Sequence, residues 1–336
     1  MNTASRTWLA PKSPKPPIAW IGGKYYLAKW IIEQIPDHRV YVEPFGGMAN
    51  VLLKKRNSEV EIFNDLDGRV ANFFRVIRND EQFTEFVKRC ELTPYSREEF
   101  NQVCDQPEPS DPIDRAHWFF VRCRQARGGM GSGRITRNAW ATSTRTRREM
   151  PEPVSKYLSA IDGLPAVADR FRRVVIEKLP AIELIRKYNK PDSLFYCDPP
   201  YPHSTLSGTG KALYGYSMTD ADHVSLLSTL RDCKGKILIS SYDSSLYREH
   251  LPTWTRIEKT THVQFSNSSQ NRSPLEELLM LPEAAQIRMQ EMIKSARTTY
   301  DDAEGEYPTC ISVLIQSADD ALIALLPANC ELQSHD

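Results

Sequence analysis

The sequence predicts an α/β protein built on an open, mainly parallel sheet, with a mainly helical subdomain inserted into it. Three observations carry that expectation. Short β-rich runs alternate with segments of helical apolar spacing. Two of those runs break off into turns that bear chemistry, "EPFGGMAN" and "DPPY". Between about residues 80 and 168 the alternation stops and arginine becomes abundant. A chain of 336 residues suits one large α/β domain with an insertion or two unequal domains.

Taken in order, residues 1–17 hold four prolines and three cationic side chains without periodicity, which reads as a flexible leader with folding expected from Ile18. "VYVEPFGG" and "VEIFND" read as strands, followed by the helical patterns "ANVLLKKR" and "GRVANFFRVIR". After the insertion the series resumes with "RRVVIEKLP", "AIELIRKY", "SLFYC", "MTDADHVSLLSTLRDC" and "GKILISS". The expected organisation is a main domain from 18–79 and 169–281, an inserted subdomain at 80–168, and a C-terminal extension at 282–336. That extension pairs the helical pattern "EAAQIRMQEMIKSAR" with a stretch, 298–336, holding eight acids and no lysine or arginine. Its two apolar runs, "CISVLIQ" and "ALIALLPA", suggest a hairpin that needs a partner surface, so self-association is one expectation.

Composition narrows the function classes. With 43 basic and 43 acidic side chains, any attraction to nucleic acid must come from a local patch. No apolar run reaches the length of a membrane span and the first residues lack a secretory core, so a cytoplasmic protein with no membrane partner is expected. Seven scattered cysteines without a Cys-x-x-Cys pair point to reduced thiols and no metal.

Ligands of open parallel sheets bind beyond the carboxyl ends of strands, where both loaded turns fall. Gly46 and Gly47 allow a tight turn and close backbone approach. The next strand ends at Asp65, where an acid accepts the ribose hydroxyls of a nucleoside cofactor. The turn lacks the Gly-x-Gly-x-x-Gly of dinucleotide binding, so a nucleoside without phosphates fits better. In "SLFYCDPPYPHS" an acid follows a buried run and needs a partner, while Pro199 and Pro200 keep neighbouring carbonyls out of a regular ladder. Carboxylate and carbonyl are paired acceptors for an amine with two hydrogens, and Tyr201 offers a stacking face.

"AWIGGKYYLAKWI", "YVEPFGGMANVLL", "IFNDLD", "LFYCDPPY" and "SNSSQNRSPLEELLM" resemble, in that order, the motifs of Dam-like N6-adenine DNA methyltransferases, phage and prophage members included. The resemblance covers roughly 18–281 and implies a Rossmann-like methyltransferase sheet, S-adenosylmethionine as methyl donor, and double-stranded DNA as partner. By motif it implies that Trp20 and Lys24 line the cofactor pocket, Phe45 packs near the adenosyl group, Asp65 holds the ribose, and Asp198 lies between cofactor and target amine. Ala49 departs from the pattern, standing where the family turn often has its second glycine. The insertion lacks the specificity residues of GATC-methylating members, so the DNA sequence read stays open.

From Arg115 to Arg148 there are nine arginines and no acid, an expected electropositive patch. Arg122, Arg124, Arg127, Arg134 and Arg137 are candidate DNA contacts, with Gln125 or Asn138 able to read adenine. Because the target nitrogen lies inside a duplex, base flipping is expected, with residues 202–218 as a closing loop. Two alternatives remain at this level: an amino-methyltransferase of cytosine N4, RNA or a protein amide, and a DNA-binding relative without catalysis.

Overall fold

Continuous apolar runs need strands covered on both faces, and the chain supplies that cover. The strands are β1 (Val40–Glu43), β2 (Val60–Asn64), β3 (Thr146–Arg147), β4 (Met150–Pro151), β5 (Val174–Glu177), β6 (Ser193–Cys197), β7 (Lys236–Tyr242), β8 (Trp254–His262) and β9 (Pro274–Pro282). A computed structural model describes residues 8–20, 22–127, 135–202, 205, 217–262 and 274–282. Seven strands form one sheet of order β5-β2-β1-β6-β7-β9-β8. The first five are parallel, with Val42 opposite both Ile62 and Phe195, and β9 runs antiparallel to β7 and β8. Strand order reverses between β1 and β6, which opens a crevice beyond their carboxyl ends.

Side-chain alternation divides the core. Tyr41, Phe63, Leu194, Tyr196 and Leu238 belong to one apolar cluster, and Val42, Ile62, Phe195, Cys197, Ile237 and Ile239 to the other. Helices α1 (Ala28–Glu33), α2 (Asn50–Lys54) and α3 (Gly68–Arg78) serve the first cluster. The second takes α8 (Ala181–Tyr188), α9 (Asp220–Arg231) and α10 (Ser245–His250), through Leu184, Leu226, Leu230 and Tyr247. Local signals set the starts of these helices: Asp67 caps α3, and Thr219 with Asp222 forms a reciprocal capping box on α9.

The insertion contributes α4 (Asp80–Leu92), α5 (Arg97–Asp105), α6 (Pro112–Gln125) and α7 (Glu152–Phe171), plus the β3–β4 hairpin. Asp111 and Pro112 start α6, the carboxylate accepting from the Ile113 and Asp114 amides. The described apolar residues of the subdomain pack into a core shared with the sheet. Phe86, Phe119, Phe120 and Tyr157 join Phe73, Phe74 and Phe171 in the first cluster, with Phe74 stacked on Phe171 at 4.1 Å and Phe73 edge-on to Phe86 at 5.8 Å. The boundary expected at 168 falls within α7, whose Arg170 returns to bind Glu61 of β2. The insertion is thus an excursion of the chain fused to the sheet by shared aromatics.

The leader also differs from expectation. Trp8 is buried and stacks on His38 at 4.1 Å, and the Arg56 amide donates to the Trp8 carbonyl. Trp8 is therefore part of the packed core, because an indole gains more by burial than a proline-rich segment loses by ordering. The expected C-terminal helix and hairpin, and most of the closing loop, lie outside the described residues. Among the described residues no helix is long and apolar enough to cross a membrane.

Candidate active site

The turn after β1 hangs from the end of β2. The Gly46 amide donates to the Asn64 carbonyl at 2.8 Å, and the Gly47 amide donates to Asp65 Oδ2 at 2.8 Å. Asn64 ties three loops together, its Nδ2 donating to the Pro44 and Leu179 carbonyls while Oδ1 accepts from the Leu179 amide. Gly46 is required by space: a Cβ there would lie 2.1 Å from Phe63 Cε2. Gly47 has φ +49°, and Ala49 also sits in the left-handed region at φ 54°. The alanine that replaces a family glycine thus keeps the glycine backbone, at a strain of about 1 kcal/mol.

Asp65 is held by two amides, Gly47 on Oδ2 and Asp67 on Oδ1, both at 2.8 Å. Burial outweighs them and pushes its carboxyl up to about 6. Beside it Leu66 presents an apolar side chain that is 46% exposed, unusual for leucine unless something covers it.

At the end of β6, Asp198 Oδ1 accepts from Ser240 Oγ at 2.9 Å and pairs with Lys24 Nζ at 2.8 Å. Lys24 is 4% exposed, and its ammonium also reaches the Tyr201 hydroxyl at 2.5 Å and the Gly22 carbonyl at 3.1 Å. Tyr201 is not the open platform expected. Its ring packs on Tyr242 at 4.1 Å, with Lys24 Nζ 4.8 Å from the centroid, because an aromatic face beside another aromatic and a cation is more stable covered.

One cleft joins these groups. Trp20, Lys24, Phe45, Gly46, Gly47, Asp65, Asp198, Pro199, Pro200 and Tyr201 all line it, so every residue expected at the cofactor or the reacting amine converges there. Glu43 and Leu66 line it too and were not anticipated. Glu43 ends β1, between the strands that lead to Asp65 and Asp198; it is 2% exposed, and its Oε2 has no hydrogen-bond partner among the described residues. Burial, opposed by Lys55 and reinforced by the Asp198 carboxylate, holds its carboxyl well above the usual range. Its acid in the middle of "YVEPF" was a readable signal; the exposure of Leu66 was not. Among the described residues no cluster of histidine, cysteine or acidic groups is arranged to hold a metal.

A family model for the D12 class of N6 adenine-specific DNA methyltransferases matches residues 20–265. The chain belongs to that family. Among its relatives is the DNA adenine methylase of Salmonella typhi, 25% identical over 286 residues, covering 79% of this chain and 94% of the relative. The DNA adenine methylases of Vibrio cholerae and Escherichia coli are each 24% identical, with the same 79% and 94% coverage. This D12 methyltransferase therefore acts on adenine in DNA with a methyl donor, and its central sheet is the Rossmann-like one expected.

The D12 chain uses its arginines differently from the expectation. Gln125 is fully buried and its Nε2 donates to the Pro94 carbonyl, so it is a core residue. Arg122 lies over Trp118 and donates to the Ile135 carbonyl, and Arg124 donates to the Lys156 carbonyl. These three brace the subdomain rather than face a groove, because a buried helix end needs its carbonyls and polar groups satisfied internally. Arg127 is exposed, with Nε on the Trp140 carbonyl, and Arg137 is exposed and paired with Asp105. Arg134 lies outside the described residues. Acids flanking the run, Glu108 on Arg115 and Asp105 on Arg137, reduce the patch that the run alone suggests. Exposed arginine remains at the β3–β4 hairpin, where Arg145, Arg147 and Arg148 all face solvent. The tip residues Arg148 and Glu149 have φ 54° and 60°, a left-handed pair that glycine or asparagine would occupy at lower energy.

Proposed function

We propose that the cleft binds S-adenosylmethionine and that Asp198 receives the N6 amine of an adenine flipped out of double-stranded DNA. The observation that carries the reading is the spacing of three acids over adjacent strand ends, Asp65, Glu43 and Asp198 on β2, β1 and β6. The donor's parts fit this row: ribose hydroxyls to Asp65, the adenine ring against Leu66 and Phe45, and the amino-acid tail across β1. The orphan Oε2 of Glu43 is a buried acceptor in need of a donor, and the ammonium of that tail is one. Trp20 and the Gly46–Gly47 turn wall the same space.

S-adenosylmethionine supplies a methyl group already activated on a sulfonium, so the protein's work is alignment and raising electron density on the attacking nitrogen. Asp198, with Oδ1 engaged by Lys24 and Ser240, accepts one amine hydrogen on Oδ2, and the Pro199 carbonyl accepts the other. The two acceptors favour a tetrahedral nitrogen whose lone pair points at the methyl carbon. After transfer the nitrogen sheds one proton to Asp198 or water, and no covalent enzyme intermediate is needed. Tyr201, which lines the cleft and is backed by Tyr242, stands on the side where the extruded base is received.

The region 80–168 approaches the DNA, with Arg145, Arg147 and Arg148 at the strained hairpin as its leading contacts and Arg127 and Arg137 behind them. With DNA as its substrate, the cytoplasm is the compartment that this reading assigns to the protein. The test is direct: incubate the protein with methyl-labelled S-adenosylmethionine and genomic DNA, digest to nucleosides, and separate them. Label in N6-methyl-2′-deoxyadenosine supports the reading; label in N4-methyl-2′-deoxycytidine, or none, contradicts it. Sequencing that detects modified bases then gives the recognition site.

A further inference from the structure

In the Asp198 carboxylate the protein's hold falls on one oxygen, Oδ1. Ser240 Oγ donates to Oδ1 at 2.9 Å, and the Lys24 ammonium lies 2.8 Å from the same atom. Ser240 is fully buried in the middle of β7, beneath the cleft floor, and does not line the cleft. Beside it stands Tyr196 of β6, 1% exposed and itself among the residues that line the cleft, whose hydroxyl is 3.2 Å from Ser240 Oγ. A serine hydroxyl has one proton and two lone pairs. Since that proton goes to the carboxylate, Tyr196 must donate to Ser240, which orders the chain as Tyr196 O–H to Ser240 O–H to Asp198 Oδ1. Donors in series polarise one another, and inside a protein each bond is stronger than in water. The chain also fixes rotation: a carboxylate anchored through Oδ1 by a strand hydroxyl on one side and an ammonium on the other cannot turn its two oxygens freely.

We propose that Ser240, itself oriented by Tyr196, is a positioning residue that locks the Asp198 carboxylate so that Oδ2 alone meets the target amine. The proposal rests on the reading of Asp198 as amine acceptor. Two neighbouring serines show why the position matters. Ser240 and Ser241 point to opposite faces of β7, and Ser241 Oγ donates to the Tyr242 carbonyl instead. A buried serine in an apolar strand would be costly without the bond it makes, and here that bond ends on the reacting acid.

The test uses the full chain in single-turnover methyl transfer on a duplex carrying the mapped site, since product release would mask the chemical step. Ser240→Ala is expected to slow transfer roughly tenfold, the scale of one hydrogen bond to a charged group, while Kd for DNA and for S-adenosylhomocysteine changes by less than about twofold. Ser240→Cys, which keeps a weak donor, recovers part of the rate. Tyr196→Phe slows transfer less, and it adds nothing in the Ser240→Ala background because its effect runs through that hydroxyl. Weaker cofactor or DNA binding with an unchanged transfer rate would overturn the proposal, as would a Tyr196→Phe loss that is the same in both backgrounds. Asp198→Ala run alongside separates the two levels: an active Asp198→Ala protein removes the amine-acceptor reading itself, whereas an inactive one beside a fully active Ser240→Ala removes only the lock. Thermal unfolding of each variant identifies any loss of rate that comes from loss of fold.

Discussion

With Asp65 as the proposed ribose acceptor, cofactor affinity depends on pH in a direction that the environment of this side chain fixes. Burial lifts its carboxyl from 3.8 to about 6, against two amide donors that favour the ionised form. At about 1.4 kcal/mol per unit, the ionised side chain costs the folded protein about 3 kcal/mol at neutral pH. The folded state binds more protons than the unfolded chain between these values, so the cost is absent below about pH 4, grows as pH rises, and is complete above about 6. Ligand binding runs the other way. Ribose hydroxyls donate best to a carboxylate, so affinity for S-adenosylhomocysteine should rise with pH up to about 6 and level off above it, with nearly tenfold weakening per unit below. Titration calorimetry at about pH 5, 6 and 7.5 measures this. Two controls isolate Asp65 from the other raised cleft acid: Glu43→Gln should keep the dependence, and Asp65→Ala should flatten it and lose roughly 1.5–3 kcal/mol of affinity. His38, lowered to about 4 by burial, titrates below the window. A flat Kd from pH 5 to 7.5 in the parent protein, or a slope that survives Asp65→Ala, would refute the assignment.

Gly46→Ala should destabilise by about 1–3 kcal/mol and weaken cofactor binding, since the new methyl meets a Phe63 ring wedged between Phe74 and Phe171; thermal unfolding and calorimetry check both. Glu61→Ala should cost about 3–5 kcal/mol, because it strands Lys55 and Arg170 as buried cations that now share that carboxylate at 2.5 Å each. Lys55→Met should cost less, since Glu61 keeps its two bonds from Arg170; denaturant unfolding ranks the two. Alanine at Arg145, Arg147 and Arg148 should reduce the slope of log affinity against log salt by about 0.9 per lost phosphate contact. Gln125→Ala should instead lower the melting temperature with the slope unchanged, and the reverse pattern would return DNA reading to the α6 helix.

The strands and most of the cleft were readable because short-range chemistry dictates them. "VYVE" and "SLFYC" can only be strands covered on both faces, and Gly46, Asp65 and Asp198 must stand where strands end. Local patterns do not report distant partners, and the errors follow from that. Arg122, Arg124 and Gln125 looked available within an acid-free run, but the Ile135, Lys156 and Pro94 carbonyls that bind them come from elsewhere in the chain. Trp8 looked like part of a loose leader until folding brought His38 and Lys55 to its ring. Tyr201 was expected bare because Tyr242 is forty-one residues away on another strand. Ser240 gave no signal at all, its role arising only from the parallel pairing of β6 with β7.

The central claim is that Asp198 polarises the amine of an extruded adenine, and a single variant tests it. Single-turnover transfer from labelled S-adenosylmethionine to the mapped duplex is measured for the parent and for Asp198→Ala, with Kd for DNA and for S-adenosylhomocysteine measured on the same preparations. The account predicts a fall in the transfer rate of about a thousandfold or more, with DNA affinity nearly unchanged. A transfer rate within about tenfold of the parent, from a folded protein that still binds both ligands, would contradict it.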